Sequence, residues 1–360
     1  MVPIDLSPAL VVGTGLVGAS VGLALTRAGV RVHLSDRTSS HARVAASLGG
    51  GSTERPDPDA VRLVVVAVPP DALAGVVEES LAAYPHATVT DVGSVKGTVL
   101  AALRSRGLDL SRYVGSHPMA GSQKMGPLTA SADLFIDRTW VVTPHDTSAG
   151  HAVLDVQELA RLCGARRVTM GAAHHDEAVA QVSHLPHLVS SLMAATLNRV
   201  PTEHLRLAGQ GVRDVTRIAG SDPELWRQII SANRAAVRLE LLALQQDLTT
   251  MLEALDDPEQ IALLLERGRE GTRALPGKHG LAPVDYAQVV VEIPDEPGSL
   301  ARLFRDIEAA GVNIEDLSID HDADREIGFL SVQVSPARAG DLRTAMAGAG
   351  WTLREPESLL

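Results

Sequence analysis

The ten residues VVGTGLVGAS, at positions 11–20, decide how the first part of this chain folds. They place Gly13, Gly15 and Gly18 in the spacing G-x-G-x-x-G, after a strand-like run and at the start of a stretch that is typical of a helix. Gly13 permits a tight turn, Gly15 lets a pyrophosphate approach the backbone, and Gly18 lets helix and strand pack closely. The stretch therefore predicts a dinucleotide-binding turn at a helix N-terminus.

An acidic residue indicates which dinucleotide binds. Asp36 ends the next strand-like run, where a carboxylate would bind the ribose 2′-hydroxyl and repel a 2′-phosphate, so we expect NAD. Arg37 beside it leaves NADP open, and a helix cap is the other interpretation of Asp36. The complete predicted cofactor site is Gly13, Thr14, Gly15, Leu16, Val17, Gly18, Asp36, Arg37, Val68 and Pro69.

Three segments follow one another along the chain. Residues 1–171 alternate Val-rich runs with helical stretches, which predicts an α/β domain of the Rossmann type with a parallel sheet covered on both faces. Residues 172–270 are typical of an all-α domain, residues 271–285 of a linker, and residues 286–360 of a ferredoxin-like βαββαβ domain.

An apolar stripe runs along the longest predicted helix of the second segment. It comprises Val237, Leu241, Leu244, Leu248, Met251 and Leu255, in steps of four and three residues. The stripe fits either a helix packed on its own neighbours or the seam of a homodimer, and we expect the homodimer.

Composition excludes several classes of function. A net charge of −12 argues against a general nucleic-acid binder and against binding to an anionic membrane surface. Cys163 is the only cysteine, which fits a reducing cytoplasm. The most apolar run, VRLVVVAVPP at 61–70, is too short to span a bilayer, and the N-terminus lacks a basic signal region. We therefore expect a cytoplasmic protein.

Two loops carry candidate groups for proton chemistry. The stretch GSHPMAGSQKMG at 115–126 places one imidazole, His117, among glycines and small polar residues, where a ligand can approach closely. Ser94 and Lys96 follow a predicted strand, at the edge where open α/β sheets bind ligands. We expect His117 to lie at that same edge.

The helical segment supplies further polar side chains. Asp176, His184 and His187 follow helical spacing and allow three interpretations: a metal site, a pocket for an anion or carbonyl, or buried histidines with internal partners. Arg217 either pairs with a nearby aspartate or clamps a carboxylate. It precedes SDPE at 221–224, which predicts a capping box with Ser221 as the N-cap.

Five motifs resemble the prephenate/arogenate dehydrogenase family of tyrosine biosynthesis. They are GTGLVGAS, DVGSVK, GSHPMAGSQKMG, VSHLPH and DVTRIAGSDPELW, in family order, and the C-terminal segment resembles an ACT domain. The resemblance implies an NAD-dependent oxidative decarboxylation of prephenate to 4-hydroxyphenylpyruvate. An arogenate dehydrogenase is the nearest alternative. An amino-acid sensor with vestigial catalysis and a metal-dependent enzyme are more remote ones.

The resemblance also implies roles for particular residues. His117 accepts or polarises the proton of the 4-hydroxyl, Ser94 hydrogen-bonds near it, and no metal takes part. The implied substrate site is Arg217, His184, His187, Gln123 and Trp226; many family members have glutamate in place of Gln123. An aromatic amino acid is expected as an effector at the ACT domain, at Asp295, Gly298 and Asn313.

Overall fold

The glycine-rich stretch joins the first strand, β1 (Ala9–Val12), to the first helix, α1 (Leu16–Arg27). Gly13 has a φ of +91°, in the left-handed region where a side chain is strained. A Cβ on Gly18 would lie 1.9 Å from the carbonyl oxygen of Gly13, so only glycine allows α1 to pack this closely on the turn. A Cβ on Gly15 would meet nothing within 4 Å, so the turn is open on that side.

The computed structural model describes residues 4–121, 126–275, 286–294, 296–322 and 327–354. The chain divides into two units, Met1–Leu252 and Glu253–Leu360. The predicted domain boundaries after 171, 270 and 285 stay predictions.

A four-stranded parallel sheet forms the centre of the first unit. Its strand order is β2-β1-β3-β4, as predicted for a Rossmann-type fold. The strands are β2 (Val32–Ser35), β3 (Leu63–Val66) and β4 (Thr88–Asp91), and the helices between them are α2 (Ser39–Ser47), α3 (Pro70–Ala83) and α4 (Gly97–Ser105). Leu63 and Val65 belong to one hydrophobic cluster and Val64 and Val66 to another, so both faces of the sheet are covered.

A second sheet continues from β4 through a parallel bridge between Val89 and Tyr113. It contains β5 (Gly115–Pro118), β6 (Thr139–Thr143) and β7 (Arg166–Thr169), with α5 (Gly150–Leu162) between β6 and β7. This second sheet departs from the parallel arrangement, because β5 and β6 run antiparallel. Among the described residues that connect them there is only a 3-10 turn, Pro127–Thr129, and no crossover helix of the kind that parallel strands need.

Helices follow from residue 172 onwards, as predicted. They are α6 (Ala172–Val179), α7 (Leu185–Thr196), α8 (Thr202–Leu205), α9 (Gln210–Thr216), α10 (Pro223–Ala232), α11 (Arg234–Glu253) and α12 (Pro258–Arg273). A π-helical turn, Ala180–His184, separates α6 from α7, and a 3-10 turn, Arg217–Gly220, follows α9.

The apolar stripe lies on α11, except for Leu255, which follows the end of that helix. Val237 is buried, whereas Leu248 is 59% exposed. Leu241, Leu244 and Met251 are half-buried. Of the stripe, only Val237 is therefore fully buried within the described part of the chain.

The cap of α10 differs from the predicted one. The N-cap is Asp222, whose carboxylate accepts the backbone N–H of Glu224 at 3.0 Å, while the Ser221 hydroxyl donates to the carbonyl of Ile218. Pro223 occupies the first helical position, which places the capping position at the residue directly before it.

The C-terminal residues form the predicted ferredoxin-like arrangement. Its elements are β8 (Ala287–Pro294), α13 (Ser299–Ala309), β9 (Asp316–Asp322), β10 (Ile327–Val334), α14 (Pro336–Gly348) and β11 (Leu353–Arg354). The strand order is β11-β8-β10-β9, and every pair is antiparallel. Leu303 of α13 and Leu342 of α14 are fully buried and belong to the hydrophobic cluster that contains Val291 of β8.

The glycine turn gives a stability prediction with an internal control. Gly18→Ala should lower the free energy of unfolding by about 1–3 kcal/mol, because the new methyl group overlaps the carbonyl of Gly13. Gly15→Ala adds the same methyl group to open space and should change stability by less than about 0.5 kcal/mol. Urea unfolding of both variants measures the difference; equal losses would contradict the predicted packing role of Gly18.

Candidate active site

The predicted cofactor residues lie together at the carboxyl ends of β1, β2 and β3. The carboxylate of Asp36 accepts the backbone N–H of Thr14 at 2.7 Å and its hydroxyl at 3.0 Å, which ties the glycine turn to the end of β2. Its other oxygen accepts the N–H of Thr38, the residue before α2, and α2 has no side-chain cap, so the interpretation of Asp36 as a helix cap is wrong.

The other members of the cofactor set surround this turn. Leu16 and Val17 begin α1, and Arg37 is exposed beside Asp36. Val68 and Pro69 follow β3 and lead into α3. The open side of Gly15, at the N-terminus of α1, offers room for a phosphate against backbone N–H groups. These residues fit a bound dinucleotide.

A buried ionic cluster lies beneath the loop that follows β4. The Lys96 ammonium donates to the carboxylate of Asp91 and, at 2.7 Å, to the carbonyl of Ser116, while the Tyr113 hydroxyl donates to Asp91 at 2.7 Å. Burial lowers the pKa of Lys96, although the negative charge of Asp91 opposes this shift. Burial is also the largest cause that raises the pKa of Tyr113 well above its usual value, and the negative charge of Asp91 adds to that shift. Ser94 is half-buried in the same loop.

His117 lies on β5, next to the Ser116 carbonyl that binds Lys96, and its hydrogen-bond partner was not predicted. Nδ1 of His117 lies 2.9 Å from Nε2 of His175, and Nδ1 of His175 lies 2.8 Å from Oδ1 of Asp176. In the part of the chain that the structure describes, the partner of His117 is thus His175 rather than Ser94. His175 is missing from the predicted site, although the spacing of the buried residues 175, 176, 179 and 180 places it on the inner face of α6.

Asp176 joins this helix to the sheet. Its carboxylate accepts the backbone N–H groups of Lys96 and Gly97, both at 2.8 Å, at the start of α4. A Cβ on Gly97 would lie 2.8 Å from the carboxylate, so a glycine is needed for this approach. Asn233 holds the backbone carbonyl of Asp176 at 2.7 Å.

The two histidines of the helical segment that were predicted as site residues are also buried. His184 closes the π-helical turn, so the helix between Asp176 and His184 is not a regular α-helix, but Asn233 contacts both residues. Nδ1 of His184 lies 3.2 Å from Nδ2 of Asn233, an amide donor, so Nε2 carries the proton of the neutral ring. His187 stacks on Trp226 with ring centroids 3.5 Å apart and planes 4° from parallel.

Burial keeps these imidazoles neutral. The pKa of His117 lies well below its ordinary value because of burial, with the neighbouring His175, Lys96 and His184 adding to the shift. Burial lowers the pKa of His184 to about 4, although Asp176 opposes the shift. Burial also lowers the pKa of His187. At neutral pH His117 is therefore a neutral ring that can accept a proton.

Of the other predicted site residues, one is exposed and two lie outside the described residues. Arg217 begins the 3-10 turn that packs against α7, and its side chain is exposed. Gln123 and Asp295 lie outside the described residues. Within the described ranges, no group of three or more His, Cys, Asp or Glu side chains is arranged to hold an ion.

Comparison with known proteins gives the family. A family model described as "Prephenate dehydrogenase, nucleotide-binding domain" matches residues 21–169, and one described as "Prephenate dehydrogenase, dimerization domain" matches residues 171–266. The chain belongs to the prephenate dehydrogenase family. The predictions of this family, of an NAD-dependent dehydrogenase activity and of NAD as the cofactor are confirmed.

Several relatives and solved structures support the assignment. The chain is 33% identical to "Probable prephenate dehydrogenase NovF" of Streptomyces niveus, over 95% of this chain and 98% of that protein. It is 28% identical to the prephenate dehydrogenase of Bacillus subtilis, over 86% of this chain and 87% of that protein. The prephenate dehydrogenase of A. aeolicus, solved in complex with hydroxyphenyl propionate and NAD+, is 26% identical with a TM-score of 0.67, over 75% of this chain and 98% of that one.

The buried histidine gives a pH prediction. Because His184 has a pKa of about 4 when folded against about 6.5 when unfolded, the unfolded chain binds this proton first as pH falls. Stability should therefore drop from about pH 6.5 down to about pH 4, by about 2 kcal/mol at pH 5 from this group alone. Urea unfolding at about pH 7.5 and pH 5 should show a smaller loss in His184→Asn; an identical loss would contradict the assignment.

Proposed function

We propose that this chain oxidises prephenate to 4-hydroxyphenylpyruvate with NAD, in tyrosine biosynthesis, and that His117 is the base. The observation that carries this proposal is the neutral, half-buried His117 on β5, in the unit that holds the glycine turn, with Nδ1 engaged by another imidazole. A neutral ring with one nitrogen occupied can use the other to accept a proton.

The reaction needs one proton acceptor and a fixed substrate. NAD, held at the glycine turn between β1 and α1, would supply the acceptor for the hydride of the ring carbon that carries the 4-hydroxyl. His117 takes the hydroxyl proton as the carbon–oxygen double bond forms. The carboxylate on the opposite ring carbon leaves as CO2, its bonding electrons make the ring aromatic, and the proton on His117 returns to the phenolate oxygen.

The remaining polar residues bind and orient the substrate. Arg217 holds a carboxylate through its planar guanidinium. The neutral rings of His184 and His187, with Trp226 stacked on His187, line the pocket, and His184 offers an N–H donor. Ser94 acts near His117 and the nicotinamide, and Gln123 acts near the substrate side chain.

Arogenate is the second candidate substrate. The Synechocystis arogenate dehydrogenase structure is 25% identical with a TM-score of 0.63, over 74% of this chain and all of that one. Prephenate is favoured because curated relatives from three organisms carry the name prephenate dehydrogenase. Steady-state kinetics with each substrate discriminates the two.

The chain is also proposed to act as a homodimer through residues 172–270, between a cofactor domain (1–171) and a linker with an ACT domain (271–360). Support comes from the matched dimerization-domain model and from exposed leucines on α11, among them Leu239, Leu242 and Leu248. Among the described residues no helix has both the length and the apolar character to cross a membrane. A cytoplasmic location stays a prediction.

Paired variants separate catalysis from binding. His117→Asn should lower kcat by about 10²–10⁴ with little change in the Kd for NAD, because only the proton acceptor is lost. Arg217→Lys keeps the charge but loses the two-pronged guanidinium, so it should mainly raise the KM for prephenate. A His117→Asn enzyme with wild-type kcat would refute the role of the base.

Asp36 is expected to select NAD over NADP. Asp36→Ala should weaken NAD binding and raise the NADP-to-NAD ratio of kcat/KM by about tenfold, because a carboxylate that repels the 2′-phosphate is lost. Thr14→Val is the matched control, since it removes a hydrogen bond to Asp36 but keeps the charge, and it should leave the ratio unchanged. A wild-type preference for NADP would exclude this role.

An aromatic amino acid is proposed to inhibit the enzyme at the ferredoxin-like domain. A cavity of about 120 Å³ there is lined by Ile293, Leu300 and Ile319 and by the turn at Gly298, which begins α13. Of the other two predicted residues, Asn313 donates to Glu315 at 2.8 Å, and Asp295 lies outside the described residues.

Exchange of one cavity residue tests this effector site. Leu300→Glu should abolish inhibition by free tyrosine in the full-length enzyme, because it replaces an apolar side chain of the lining by a second carboxylate in addition to Glu296. Val168→Glu on β7, at a position of similar exposure, is the control and should remain inhibited. Equal inhibition in both variants would assign tyrosine to the catalytic cleft instead.

A further inference from the structure

Three side chains, those of Asp176, His175 and His117, are connected in series by hydrogen bonds. The distances are 2.8 Å from Oδ1 of Asp176 to Nδ1 of His175 and 2.9 Å from Nε2 of His175 to Nδ1 of His117. His175 is buried, with 1% of its surface exposed, so water does not compete for its two nitrogens. Both contacts are ordinary hydrogen bonds with a defined direction.

The direction of both bonds follows from Asp176. Its carboxylate already accepts two backbone N–H groups at the start of α4, so it acts as an acceptor, and Nδ1 of His175 must donate to it. When Nδ1 carries the one proton of the His175 ring, Nε2 has a lone pair and accepts from Nδ1 of His117. Consequently the proton of neutral His117 lies on Nδ1, and Nε2 is the nitrogen that can accept a proton.

We propose that Asp176 and His175 are positioning residues that hold His117 in the tautomer with a basic Nε2, and that His175 shares the proton taken from the substrate. This inference rests on the proposed role of His117 as the base. When Nε2 of His117 accepts the hydroxyl proton, the Nδ1 proton of His117 passes to Nε2 of His175. His175 becomes an imidazolium beside the carboxylate of Asp176, and the reverse transfers return the proton to the phenolate oxygen.

The distribution of buried charge supports this assignment. The ammonium of Lys96 is bound to Asp91 and to the Ser116 carbonyl, so it does not neutralise Asp176 by direct contact. His175 is the side-chain partner of the Asp176 carboxylate among the described residues. A positive charge on either imidazole is costly in this buried setting, and Asp176 supplies the compensating negative charge.

The chain contains a matched control for the test. His174 and His175 are neighbours on α6, but His174 is exposed and His175 is buried. His175→Gln keeps an acceptor near the position of Nε2 but cannot carry a proton or contact Asp176 in the same way. His174→Gln makes the same chemical change at the surface.

Kinetics of the full-length enzyme with prephenate and NAD gives the first readout. His175→Gln should lower kcat by about 10- to 100-fold and leave the KM for prephenate and the Kd for NAD within about twofold, while His174→Gln should match the wild type. A wild-type kcat in His175→Gln, together with a large loss in His117→Asn, would overturn this inference and leave the proposed function intact. A wild-type kcat in His117→Asn would instead refute the proposed function.

Nitrogen NMR of the wild-type chain with ¹⁵N-labelled histidine gives a readout that needs neither activity nor a folded His175 variant. At neutral pH the signal assigned to His117, identified by its absence from His117→Asn, should show a protonated Nδ1 and an unprotonated Nε2. A proton on Nε2 of His117 would overturn the inference, even if His175→Gln fails to fold.

Discussion

The contact between the carboxylate of Asp176 and the start of α4 holds the candidate active site together. Two backbone N–H groups, from Lys96 and Gly97, bind the two carboxylate oxygens, at a helix end whose dipole favours negative charge. Helix α6 is thereby fixed against the sheet. The position of His175 relative to His117, and through Asn233 that of His184, depends on this contact.

The candidate active site contains two buried carboxylates, Asp91 and Asp176, which have different partners. Asp91 binds the Lys96 ammonium and the Tyr113 hydroxyl, and this cluster holds the backbone of Ser116, directly before His117. The side-chain partner of Asp176 among the described residues is the imidazole of His175. A buried ion pair adds little net stability, but it fixes geometry, because removal of one partner would strand a buried charge. The site thus has a structural carboxylate on the sheet and a second one on the helix.

The sequence predicted the features that depend on spacing and composition. The glycine spacing and the Val-rich runs specify the parallel sheet, and His117 stood out because its loop contains no other titratable ring. His175 was missed because its partner His117 comes from β5, and such a long-range contact leaves no local pattern. No pattern in the sequence indicated the π turn at Ala180–His184 either. The cap of α10 was displaced by one residue because Ser221 and Asp222 are both good capping residues, and only the helix start at Pro223 decides between them.

The π turn at Ala180–His184 has a consequence for how this segment tolerates change in length. A π turn contains one residue more than the α-helical path needs, so it absorbs that residue while α6 and α7 keep nearly the rotation of one regular helix. Loss of a single residue here would let the two helices merge into one regular α-helix. Side chains beyond the deletion would keep their direction relative to α6, and His187 would stay on the face of Trp226. The π turn is therefore the place in this segment where the chain accommodates a one-residue change in length.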